Sequence, residues 1–138
     1  YDDPQAPMDE DVRKRMLTGR GLTPVSHVER LFAQRQCQNR FETEMTGFDA
    51  LLTPTITDTA PLLSEIDQDI SPGHFTRPFN YLDMCALSMP TLPAADRLPT
   101  SLQIVARAGQ ESMVLRIGAA LEKTFEARAY PDLSALRD

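Results

Sequence analysis

The sequence predicts an α/β chain of about three core strands flanked by helices, and three observations carry that expectation. Two long segments, 24–46 and 110–128, repeat their apolar residues at steps of three and four, as amphipathic helices do. Three short apolar runs, at 49–53, 85–89 and 102–106, the first two ended by a proline and the third entered through Leu98-Pro99, are too short for helices of that kind. The chain has 138 residues, enough for one domain and too few for two.

The elements follow in order. Residues 1–7 hold two prolines and no periodicity, which predicts a loop or linker. Asp9 is a fitting N-cap for a short helix on which Met8, Val12 and Met16 recur every four residues, and Gly19 ends it. Arg13, Lys14 and Arg15 lie in that helix and are expected to form a solvated face. Thr23-Pro24 then opens a helix of about twenty residues, the cap being followed by proline at the first helical position. Its apolar stripe runs through Val25, Val28 and Phe32 and continues through Ala33, Cys37, Phe41 and Met45 to a stop at Gly47.

Phe48 to Thr53 suits a buried strand that Pro54 ends. Residues 56–80 carry Pro61, Pro72, Gly73 and Pro78 with little periodicity, and stretches of this length are often functional. Cys85–Met89 and Leu102–Ala106 are the remaining strands, joined by an irregular, hairpin-like connection at 90–97. The last helix shows Met113, Val114, Ile117, Leu121 and Phe125 on one side and stops before Pro131, leaving 131–138 as a tail.

Composition excludes several functions. Lys and Arg total 14 against 20 Asp and Glu, a net charge of −6. Binding nucleic acid or an anionic membrane needs a concentrated basic face, so neither partner is expected. No apolar run approaches the roughly 18 residues that span a bilayer, and neither a membrane span nor a signal peptide is expected. Cys37 and Cys85 cannot form a disulfide framework; both lie in apolar patterns and are expected to be buried, reduced thiols of a cytoplasmic protein. The chain opens on Tyr1 without an initiator Met and holds 11 Pro against 6 Gly, which suggests a piece of a larger protein.

The catalytic inventory is thin: two histidines, His27 and His74, and two lysines, Lys14 and Lys123. His27 falls in the long helix, where a structural or exposed role is expected. Asp67, Asp69, Ser71 and His74 supply the residue types of a metal site or a Ser-His-Asp set, but such a grouping is common by chance and no second histidine is near. The six glycines are scattered singly, so no phosphate-cradling loop exists, and no Gly-x-Ser-x-Gly elbow is present. By its chemistry alone the chain holds no complete active site, and neither a metal nor a cofactor is expected.

Four motifs in order resemble the carboxy-terminal part of the amidase signature family. Phe48-Asp49-Ala50-Leu51-Leu52-Thr53-Pro54-Thr55 is similar to its "fD-x-L-L-x-P-T" strand. Phe75-Thr76-Arg77-Pro78-Phe79-Asn80 is similar to "fT-x-P-x-N". Ala86-Leu87-Ser88-Met89-Pro90 and Leu98-Pro99-Thr100-Ser101-Leu102-Gln103-Ile104-Val105 resemble "A-x-S-x-P" and "L-P-x-G-L-Q-x-V". The turn Arg20-Gly21-Leu22-Thr23 and the closing helix through Leu115 and Leu121 have counterparts as well. The likeness covers about Val12 to Phe125.

The resemblance implies part of a mixed-sheet α/β/α sandwich over 8–130. It also implies amide hydrolysis by a Ser–cis-Ser–Lys triad in an upstream Gly/Ser-rich segment. No residue of this chain maps onto that triad. The upstream portion is then the expected partner, a small-molecule amide the expected substrate, and Thr55, Ile56, Phe79 and Asn80 the expected substrate-binding residues. Asn80 has a second expected use, pinning the 75–90 loop through backbone hydrogen bonds.

The departures matter. Asp83 and Cys85 stand where the family has Gly and Pro, Leu92 where a Gly often follows the proline, and Ser101 where a Gly precedes Leu-Gln. Glycine serves tight approach or positive φ, so these changes predict a different local backbone.

Seven acids and no Lys or Arg lie between Arg40 and Arg77, which would make a pocket rim here favour neutral or cationic amides. Two other readings stand beside the amidase: a stand-alone, non-catalytic binding module of the same architecture, and a metal-dependent enzyme using Asp67, Asp69 and His74. Strands cut from a larger sheet would leave an open edge, so self-association or a partner chain is expected.

Overall fold

A computed structural model describes residues 3, 5–67, 70, 72–91 and 98–125. Its core is a three-stranded sheet of order β1-β3-β2, built from β1 (Leu51–Pro54), β2 (Cys85–Pro90) and β3 (Ser101–Ala106). All pairings are antiparallel, so the parallel part of the expected mixed sheet is not among the described residues. The α/β expectation holds: the described residues form three strands and four helices, α1 (Glu10–Leu17), α2 (Pro24–Glu44), α3 (Arg77–Tyr81) and α4 (Glu111–Phe125), with a 3₁₀ turn at Leu63–Glu65.

Register decides what each face of the sheet carries, because side chains alternate along a strand. Cys85, Leu87 and Met89 pair with Ala106, Ile104 and Leu102, so these six share one face. Helix α4 covers that face with Val114, Ile117, Leu121 and Phe125. Gly118 lets it approach: a Cβ there would stand 2.5 Å from Leu87 Cδ2 and 3.7 Å from Ile104 Cδ1. Central β3 is buried on both faces, Ile104 and Val105 having no exposure at all. Strand β1, expected to be buried, is an outer strand whose residues alternate between half-buried and exposed.

Only the start of the hairpin-like connection lies among the described residues. Thr91 N–H donates to the Thr100 carbonyl at 3.1 Å and their hydroxyls meet at 2.7 Å, extending the β2–β3 ladder by one pair. Leu92 lies outside the described residues, as does the 131–138 tail.

Both helix starts follow from their capping chemistry. Asp9 accepts from the Asp11 and Val12 amides, and Thr23 and Ser26 form a reciprocal capping box ahead of α2. Arg13 corrects the solvated-face expectation. It is 8% exposed, and its guanidinium donates to the carbonyls of Asp3 and Ala6 at 2.8 and 2.9 Å. A side chain with five donors can hold a turn that has no periodicity of its own. Lys14 and Arg15 do stay exposed.

Helix α2 is the larger correction. It docks through its C-terminal half: Phe41 meets Phe79 edge-on at 6.5 Å, and Met45 is buried. Gln34 and Gln38 donate to the Tyr81 carbonyl at 2.8 and 3.3 Å. Its N-terminal stripe is open, with Val25 69%, Val28 48% and Phe32 68% exposed. Cys37, expected in the core, is exposed because the docking line runs through Gln34, Gln38, Phe41 and Met45, one residue around the helix from it. Cys85 is half-buried, its Sγ 3.3 Å from the Arg107 carbonyl.

At Asp83 the expected change of local backbone does not occur. Its φ is +59°, the left-handed region that glycine favours. Asp83 and Met84 amides return to the carbonyls of Asn80 and Phe79, the two bonds of a Schellman closure on α3. The turn therefore keeps a glycine's geometry with an aspartate in it. Asp83→Gly is expected to stabilise the fold by about 0.5–1 kcal/mol, relief of left-handed strain outweighing glycine's extra unfolded-state entropy. Urea unfolding of the two proteins checks this; a lower midpoint for the glycine variant would refute it.

Candidate functional site

On the sheet face opposite α4, the register places Thr53 of β1, Gln103 of β3 and Ser88 of β2 side by side. Gln103 is the anchor. It is 3% exposed, and a buried amide must find partners. Its Nε2 donates to Thr53 Oγ1 and to the Phe75 carbonyl, both at 3.0 Å. One residue thus ties the segment entering α3 to two strands.

Thr55 follows Pro54 at the end of β1. Its amide donates to the Ser101 carbonyl at 3.1 Å, and its hydroxyl lies 3.1 Å from that of Ser88. Pro54 can stand there because β1 is an outer strand. The result is a ledge of hydroxyls and one amide at the proline-bearing end of the sheet. Two hydroxyls sharing one hydrogen bond keep one O–H free to donate.

The four expected site residues do not converge. Thr55 joins the ledge, and half-buried Ile56 follows it. Phe79 is 8% exposed with its ring against Phe41, on the apolar contact between α3 and α2. Asn80 is exposed on α3. The pinning expected of Asn80 is done around it, by Gln103 on Phe75 and by Gln34 and Gln38 on Tyr81.

Sequence reasoning missed Gln103 and Ser88 as members of a site. The signal was there: a polar residue inside the run Leu102–Ala106 needs partners by the same argument applied to Asn80.

The ledge can bind and orient, but it does not activate a nucleophile. Thr55 and Ser88 bond each other, and no His, Lys or carboxylate among the described residues bonds either. Of the Asp67, Asp69, Ser71 and His74 group, Asp69 and Ser71 lie outside the described residues. Asp67 is exposed, and the exposed His74 stacks edge-on against Phe75 at 4.9 Å. Among the described residues, no three His, Cys, Asp or Glu side chains gather where they could hold a metal ion. No helix among them is long and apolar enough to cross a membrane. His27 is exposed on α2.

Comparison with known proteins places this scaffold. A solved structure described as an amidase superposes with a TM-score of 0.73 at 26% identity, covering 86% of this chain and 29% of that one. The fold is therefore that of an α/β amidase. The Amidase family pattern matches residues 5–115, and the chain belongs to that family. Among curated relatives, a glutamyl-tRNA(Gln) amidotransferase component from Thermotoga maritima is 29% identical over 122 residues, 83% of this chain. The 6-aminohexanoate-cyclic-dimer hydrolase of Pseudomonas sp. strain NK87 is 33% identical over 92 residues, 55% of this chain. The chain spans 26% and 19% of the lengths of these two relatives.

Proposed function

We propose that this chain is the carboxy-terminal part of an amidase that hydrolyses a carboxamide C–N bond, its chemistry delivered by a Ser–cis-Ser–Lys triad in an upstream portion. The observation that carries the reading is a division of labour: a family-matching sheet presents hydrogen-bonding groups on one face, while no described His, Lys or carboxylate bonds the hydroxyls there. The chain supplies strands and part of the substrate pocket, and Thr55 with the ledge is its contribution to that pocket. Ile56 follows Thr55 at that pocket, while Phe79 and Asn80 serve it from α3, Phe79 by holding that helix on α2.

The reading also provides a cover for α2. Its open apolar stripe and the two outer strands are the surfaces on which the upstream portion packs, and self-association is what they would drive without it. A cytoplasmic setting belongs to the same reading, in keeping with two unpaired cysteines.

The test compares the 138-residue chain with a protein that also carries the upstream portion, both supplied with simple aryl and aliphatic amides. The expected result is no turnover by the chain alone and turnover by the complete protein. General-base activation of a serine needs a partner within hydrogen-bond reach, and only the complete protein would have one. Turnover by the chain alone would overturn the reading. Amide binding without hydrolysis by the complete protein would favour the stand-alone binding module instead.

A further inference from the structure

The orientation of the Gln103 amide is fixed by its partners. The Phe75 carbonyl can only accept, so the atom facing it at 3.0 Å is the nitrogen. The second N–H of that nitrogen is spent on Thr53 Oγ1. Both donors are thereby used, and an amide carries its oxygen on the side away from its NH₂. The side chain makes no third bond: Oε1 accepts from no described residue. Yet no buried side-chain nitrogen or oxygen among the described residues lacks a partner. The oxygen therefore lies in the small part of this 3%-exposed residue that reaches the surface.

We propose that Gln103 Oε1 is a substrate-binding acceptor that takes a hydrogen bond from the N–H of the carboxamide. The inference rests on the amidase reading above and adds the class of amide admitted. A held acceptor at the floor of the ledge fits primary and monosubstituted amides and disfavours N,N-disubstituted ones, whose nitrogen has no proton to give. Ser88 lies directly across from Gln103, so the Thr55–Ser88 hydroxyl pair borders the same acceptor on that face of the sheet. An acceptor already held by two bonds needs no reordering to bind, which is what gives a single contact its selectivity.

The experiment uses the complete protein, with benzamide and N,N-dimethylbenzamide as probes. The wild type is expected to prefer benzamide in kcat/KM, and Gln103→Met to lose about tenfold of that preference, mainly through KM for benzamide. A merely structural role would lower both substrates together and leave their ratio unchanged, which would overturn the proposal. A wild type that does not discriminate would overturn it too, while leaving the amidase reading intact. If no amide is turned over, the amidase reading fails and the proposal fails with it. Should Gln103→Met not fold, the ¹³Cδ resonance of Gln103 in the wild type decides. It should shift with benzamide and stay in place with N,N-dimethylbenzamide, and equal responses would refute the assignment.

Discussion

Replacing Ile104 by alanine is expected to cost about 2–5 kcal/mol of stability, a large effect for a single truncation. Ile104 has no exposure and sits at the middle of the central strand, opposite Leu52 on one side and Leu87 on the other. Its Cδ1 packs near Gly118 of α4, 3.7 Å from where a Cβ there would stand, and that glycine has no side chain to move into the void. Lost transfer energy and an uncollapsed cavity then add. Small domains are stable by only about 5–15 kcal/mol, so this is a sizeable fraction of the whole. Urea unfolding should show a midpoint lowered by more than about 1 M. Leu115→Ala provides the control, since Leu115 is 59% exposed on the same helix and should cost about 0.5 kcal/mol or less. Equal shifts for the two variants would mean that the core is not centred on β3.

Much of this architecture was legible in the sequence because local rules and global fold agree there. Cys85–Met89, closed by Pro90, and Leu102–Ala106, entered through Leu98-Pro99, are apolar runs, and they are β2 and β3 to within a residue. Thr23-Pro24 and Asp9 mark helix starts through chemistry that acts within four residues. The five residues of α3 escaped because one turn and a half displays no period, and its Pro78 reads equally as a loop. Arg13 escaped because burial of a charged side chain depends on carbonyls ten and seven residues away. At Asp83 the departure from the family's glycine suggested a new backbone, whereas the hydrogen bonds of the α3 closure impose the old one. The candidate site was half legible. Thr55 is singled out through the family resemblance, but Gln103 gains its meaning from register, which pairs it with Thr53 and Ser88 across two strands.

Helix α2 shows the remaining gap between pattern and structure and gives the second large prediction. A period of 3.6 states that one side of a helix is apolar; it does not say what covers that side. Here Val25, Val28 and Phe32 follow the period and face outward, while the helix is held by Phe41, Met45 and two glutamines further along. If the upstream portion of the proposed amidase covers the stripe, one substitution should have two very different costs. Phe32→Asp is expected to change the stability of the 138-residue chain by about 0.5 kcal/mol or less, because the ring is 68% exposed and leaves no cavity. In the complete protein the same change would bury an unpaired carboxylate in an apolar contact, at a cost of several kcal/mol. The expected readout is loss of most soluble, active complete protein, with the unfolding midpoint of the chain alone nearly unmoved. Phe32→Leu, which keeps the apolar contact, should restore activity. A complete protein that tolerates Phe32→Asp would leave this stripe uncovered, and the upstream portion would have to pack elsewhere, on the outer strands of the sheet.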